Sequence, residues 1–149
     1  MNLIERNNIS ENVKADKAYL KFTQLLNELE LKKIPTETVI LINNELEKLN
    51  LVSTTDKKFY SLIKDKENRI IRLIENKHKI VPINYYRNLW MILGMSSFGI
   101  PLGVVLGFSL GNLALLGIGI PIGMAVGVGF GTYLDKKANK EGRQLQYKM

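Results

Sequence analysis

The chain has 149 residues, no cysteine, one histidine, and 21 basic against 14 acidic side chains, for a formal net charge of +7. Without cysteine there are no disulfides, no thiolate catalysis, no cysteine-ligated metal and no lipid anchor on cysteine. With His78 as the only histidine, no transition-metal site is expected.

The length suits one domain plus an accessory element, but the composition splits into two unlike halves. Eleven of the 12 glycines lie between Gly94 and Gly131, and the 47 residues from Asn88 to Leu134 carry no charge. A helix needs about 20 apolar residues to cross a bilayer, so this run is long enough to cross twice. Positive charge flanks it. Residues 57–87 hold nine Lys/Arg against three Asp/Glu, and residues 135–149 hold five against two. Charge flanking an apolar block points to membrane topology rather than to nucleic acid, which is not an expected partner. The N-terminal "MNLIERNNISENVK" has no apolar core, so no cleavable signal peptide is expected.

In chain order, Ser10 is placed to cap a first helix to about Glu30, with Ala15, Ala18, Tyr19, Phe22, Leu25, Leu26 and Leu29 on one face. Pro35 ends the break "KKIPTET" and precedes a second helix of about 36–49 with Val39, Ile42, Leu46 and Leu49 as its seam. Ser53 with Asp56 resembles a capping arrangement for a third helix of about 54–77. That helix sets Phe59, Leu62, Ile63, Ile70, Ile71, Leu73 and Ile74 against Lys57, Lys58, Lys64, Lys66, Arg69 and Arg72. The three stripes predict a small helical domain over residues 1–80. Two other uses of the third helix stay open: lying on an anionic membrane surface, or pairing with the same helix of another copy.

Residues 81–89 read as an interfacial linker. Tyr85, Tyr86 and Trp90 at one end of the apolar run, and Tyr133 at the other, are candidate interface anchors. The run divides at "LGN", 110–112, into two 22-residue spans, each roughly 33 Å long as helix. This gives a transmembrane hairpin over 90–134 and a basic tail over 135–149. Basic residues near the ends, Arg87, Lys136 and Lys137 among them, with none in the turn, predict that both termini are cytoplasmic.

Gly99, Gly103, Gly107 and Gly111 advance by about 40° per four-residue step, forming one smooth stripe with Ser96 in the same arc. Gly119, Gly123, Gly127 and Gly131 repeat it on the second span, and Gly117, Ala125 and Gly129 add a second small-residue face. In lipid, helices associate by close packing, which small residues permit. One stripe can pack within the hairpin, and the surplus face can meet a neighbour. Pro101 and Pro121 sit at similar depth as candidate kinks, either hinges or fixed shape.

The two glycine series, closing with "GTYLDKKANKEGR", resemble bacterial glycine-zipper membrane proteins with two spans over about residues 88–143. The resemblance implies a helical hairpin that self-associates and carries no catalytic residues and no cofactor; some such proteins sit in the outer membrane on a lipidated cysteine, but with no cysteine and no signal peptide this chain is expected in the bacterial cytoplasmic (inner) membrane.

The expected fold is thus all-α, a small N-terminal helical domain followed by a glycine-rich hairpin. No enzyme constellation is present: the hydroxyls Ser96, Ser97, Ser109 and Thr132 have no neighbouring base, and the spans hold no ionisable residue for a proton or ion path. Two functions remain. The chain is a membrane-anchored homo-oligomer, with membrane lipids around it, presenting a helical module to a cytoplasmic protein partner; or it is a pore or membrane-permeabilising effector.

Overall fold

The computed structural model describes residues 1, 3–4, 13–52, 58–112, 114 and 116–148, so Ser10 and the pair Ser53 and Asp56 lie outside the described residues. The elements are α1 (Val13–Leu31), α2 (Thr36–Asn50), α3 (Phe59–His78), β1 (Val81–Ile83), α4 (Tyr85–Leu93), a π-helical segment (Gly94–Gly99), α5 (Ile100–Ser109), α6 (Leu116–Lys140) and β2 (Gln144–Lys148). The fold is all-α apart from one short parallel pairing, with Val81 opposite Gln144 and Ile83 opposite Lys148. The chain forms two compact units, one of Met1–Ile80 with Leu145–Tyr147, the other of Val81–Gln144 with Lys148–Met149.

The first unit buries what the helical spacing assigns to its core. All seven apolar positions of α1 are buried, with Phe22, Leu25 and Leu29 fully so. On α2 the seam is Ile42, Leu46 and Leu49, joined by Thr38 in place of the expected Val39, which is half-buried. On α3, Phe59, Ile63, Ile70, Ile71 and Ile74 are at most 1% exposed, so this stripe is not offered to a lipid surface or to a second α3. Each such side chain contributes about 1.5–3 kcal/mol of transfer free energy. Lys66, expected on the solvated face, is buried beside Glu67 because positions 63, 66, 67, 70 and 74 share one face at helical spacing. Its charge is matched: Lys66 Nζ lies 2.6 Å from Glu45 Oε2 on α2. That bond holds the Glu45 carboxyl below the usual range. The basic context "ENKHKI" suggests a solvated His78, but its Nε2 lies 2.8 Å from the buried Thr38 Oγ1, a hydrogen bond.

The core of this unit does not end at residue 80. Leu145 and Tyr147, from the basic tail over 135–149, are fully or almost fully buried in it.

In the second unit the expected linker is structured. Val81–Ile83 is a strand, and α4 begins at Tyr85. Helix Tyr85–Ser109 then runs unbroken for 25 residues, and Gly117–Lys140 for 24, two helices long and apolar enough to cross a membrane. The α5 terminus is a Schellman motif: Asn112 N–H bonds to Gly107 O at 3.0 Å and Gly111 N–H to Phe108 O at 3.3 Å. Gly111 sits at φ +62°, the left-handed conformation that this motif requires.

Candidate functional site

The seam between the two long helices is built from backbone rather than from side chains. Gly94, Gly99, Gly103 and Gly107 are buried on one helix, and Gly119, Gly123, Gly127 and Gly131 on the other. A Cβ added at Gly119 would lie 2.6 Å from Gly103 Cα; at Gly123, 2.6 Å from Gly99 Cα; at Gly127, 2.8 Å from the Trp90 carbonyl carbon; and at Gly131, 2.6 Å from Arg87 Cα. These pairings run antiparallel. Even alanine is too large at these four positions, because the atoms it would meet are main chain.

This seam corrects one member of the expected stripe. Gly111 lies in the turn with nothing within 4 Å of an added Cβ, and its place is taken by Gly94, whose added Cβ would lie 3.0 Å from Gly127 Cα. The step from Gly94 to Gly99 is five residues, not four, so an α-helix would put the two on different faces. The π-helical segment over Gly94–Gly99 absorbs the extra residue and keeps Gly94 in line. Pro101 explains where the widening falls. It has no N–H to return to Ser97 O, and its ring crowds that carbonyl, which lies inside the π segment. Pro121 lies inside α6, which stays α-helical around it, so the two prolines do not act as a matched pair. The same widening moves Ser96 out of the expected arc. It is exposed, and its Oγ donates to Ile92 O at 3.0 Å.

Below the glycines the seam ends on a charge. Asp135 is 6% exposed. Its two oxygens accept the Tyr86 N–H at 3.1 Å and the Arg87 N–H at 2.9 Å. These amides belong to the first turn of α4, where no partner within the helix exists. Asp135 thus caps α4 from the opposite helix and pins the register of the pair. Beside Lys136 and Lys137 the sequence alone suggests only a helix-end charge at this position.

The other expected residues lie around this seam. Trp90 packs edge-on against Phe130 with centroids 4.4 Å apart, and Tyr85 against Tyr86 at 5.4 Å. Tyr133 is 63% exposed, and Lys136 and Lys137 are exposed. Arg87 donates from Nη2 to Asn88 Oδ1 at 3.3 Å. Gly117 and Gly129 have nothing within 4 Å of an added Cβ, and Ala125 is exposed, so the surplus face of α6 is open in the single chain.

The large apolar side chains point away from the seam. Ile92, Phe98, Val105, Phe108 and Val126 are each more than half exposed. Of the most apolar stretch of each long helix, only 17% and 22% of residues are buried. The core helix of a water-soluble protein has the reverse arrangement. Narrow apolar clefts of about 250 Å³ and 260 Å³ flank the seam. They are lined by residues such as Trp90, Phe98 and Phe130 on one and Ile92, Met95 and Ile120 on the other, with no titratable side chain in either.

No family model matches the chain, and neither a curated protein nor a solved structure matches it.

Proposed function

We propose that this chain is a non-enzymatic integral membrane protein of the bacterial cytoplasmic membrane, a two-span anchor that self-associates and presents its N-terminal helical unit to a cytoplasmic protein partner. One observation carries this reading: the long helices meet through glycine backbone and turn their isoleucine, valine and phenylalanine side chains outward. An outward apolar surface of this extent is unfavourable in water and matched to hydrocarbon. With no hydrophobic drive between helices in lipid, close contact through glycine is the means left to hold such a pair.

Basic residues at the ends of the two long helices away from the turn, Arg87, Lys136, Lys137 and Lys140, with none in the connecting turn, support placing both termini in the cytoplasm. The eight seam glycines are used within the chain, so association between copies falls to Gly117, Ala125 and Gly129 of α6. The resemblance to bacterial glycine-zipper proteins supports the same reading. No cofactor and no nucleic acid enters it.

The test is crosslinking of the full chain in bilayers, read beside vesicle leakage. The anchor reading expects an oligomer that Gly117→Leu and Gly129→Leu reduce, with no leakage. Leakage that falls together with the oligomer would replace the anchor by a pore. Extraction of the wild-type chain into the supernatant by alkaline carbonate would remove the membrane reading altogether.

A further inference from the structure

One of the two clefts beside the seam has a floor, two walls and a charged mouth. Its floor is the backbone of Gly94 and Gly127. Its walls are Trp90 and Phe98 on one helix and Val126 and Phe130 on the other. From Trp90 to Phe98 is eight residues, about 12 Å of helix, so the cleft takes a row of methylenes laid along it.

On α6 the wall of this cleft runs on into cations. Val126, Phe130, Tyr133, Lys137 and Lys140 fall within about 80° of one another at the helical period. Lys137 stands about 10 Å beyond Phe130 along the axis, with the exposed Tyr133 between them. Both lysines are exposed. After Glu75 the sequence holds two acids, Asp135 and Glu141, and both are engaged. Asp135 accepts the Tyr86 and Arg87 amides, and Glu141 accepts Arg143 Nε at 2.8 Å. The charge of Lys137 and Lys140 is left for something outside the helical pair.

An apolar groove that opens onto a tyrosine hydroxyl and two lysines matches an acyl chain joined to a phosphate. A headgroup with its own cation, such as choline, would leave the lysines unneutralised, and a net-negative headgroup would not. Basic side chains at the cytoplasmic end of a cleft between spans suit anionic headgroups in this way.

We propose that this cleft is a binding site for an anionic phospholipid. An acyl chain lies over Gly94 and Gly127 between Phe98 and Val126, and the phosphate meets Lys137, Lys140 and the Tyr133 hydroxyl. The proposal rests on the membrane reading above.

Trp90 is the only tryptophan of the chain and lines the cleft, so its fluorescence reports what fills it. The test reconstitutes the full chain in vesicles of equal parts phosphatidylcholine and phosphatidylglycerol. Bromine, a contact quencher of tryptophan, is carried on the acyl chains of one lipid or of the other. Both leaflets have the same composition, so the direction of insertion does not matter. Brominated phosphatidylglycerol should associate with the Trp90 site at least about fivefold more strongly than brominated phosphatidylcholine. Lys137→Gln should lower that ratio about fivefold, the contribution of one lysine near an anionic surface. Lys136→Gln removes the same charge about 100° round the helix and should leave the ratio unchanged. Equal effects of the two substitutions would mean diffuse attraction to the surface and overturn the site. Equal quenching by the two lipids overturns the proposal and leaves the membrane reading standing. Quenching by neither lipid removes both.

Discussion

The two units of this chain solve packing in opposite ways. In the three-helix unit Phe22, Leu25, Ile42, Leu46, Ile63 and Ile70 point inward and are fully buried, and the described charged residues other than Lys66 and Glu67 are exposed or partly exposed. In the helical pair the buried positions are glycines, and Phe98, Val105, Phe108 and Val126 face out. The first arrangement is driven by removing apolar area from water. On the membrane reading proposed above, the second gains nothing from that source and depends on how near two backbones come. The difference teaches that hydrophobicity alone does not say which side of a helix is the inside; residue size decides it when the surrounding medium is lipid.

Several substitutions would sharpen or break this contrast. The largest effect belongs to Gly123→Leu and Gly127→Leu, which place a side chain against main chain that cannot rotate away. Overpacking of ordinary cores costs about 1–3 kcal/mol, and here the cost exceeds that range. Thermal unfolding of the full chain in detergent, followed by circular dichroism, checks it. Gly→Ala at the same sites also destabilises, because the clash begins at Cβ. Gly117→Leu and Gly129→Leu, open in the single chain, leave the melting temperature near wild type. If all four behave alike, the seam does not hold the pair.

In the other unit, Tyr147→Phe removes the hydrogen bond that Tyr147 Oη donates to the buried Glu67 carboxylate, a loss of about 1.5–3 kcal/mol. The hydroxyl also makes a pH prediction. Burial, with Glu67 and Glu28 adjacent, pushes the Tyr147 pKa well above that of a free tyrosine. The folded state therefore holds this proton more tightly than the unfolded state does. The stabilisation is fully present below the ordinary value of about 10 and is lost as pH rises above it. Spectrophotometric titration should show Tyr147 ionising above the ordinary tyrosine range, together with unfolding.

Asp135→Ala comes next, at about 1–2 kcal/mol by analogy with lost helix caps, with Asp135→Asn retaining part of it. Hydrogen exchange at the Tyr86 and Arg87 amides should quicken in step. The smallest effect is Val105→Leu, on an exposed position, which should change stability by less than about 0.5 kcal/mol.

The sequence made the helices of the first unit legible because its apolar spacing is regular, and the stripe Gly119–Gly131 legible because its step of four never varies. What escaped it has physical causes. Gly94 was missed because a five-residue step shares a face with Gly99 only after a π turn, for which Pro101 directly downstream was the available signal. Asp135 was missed because capping by a residue 48 positions away leaves no local pattern. Leu145 and Tyr147 were missed although "QLQYK" alternates apolar and polar residues as a strand does; a segment of five residues carries little weight until the pocket that takes it is known. Thr38 displaced Val39 because its hydroxyl meets His78, a partner 40 residues on.

The most direct test of the central claim is where the outward side chains reside. The absence of cysteine makes single-site spin labelling clean. Labels placed one at a time at Phe98, Val105, Ile122 and Val126 in the full chain, reconstituted in bilayers, should relax strongly with oxygen, which concentrates in hydrocarbon, and weakly with a water-soluble nickel chelate. Labels that respond to nickel and not to oxygen would put these faces in water and contradict the account.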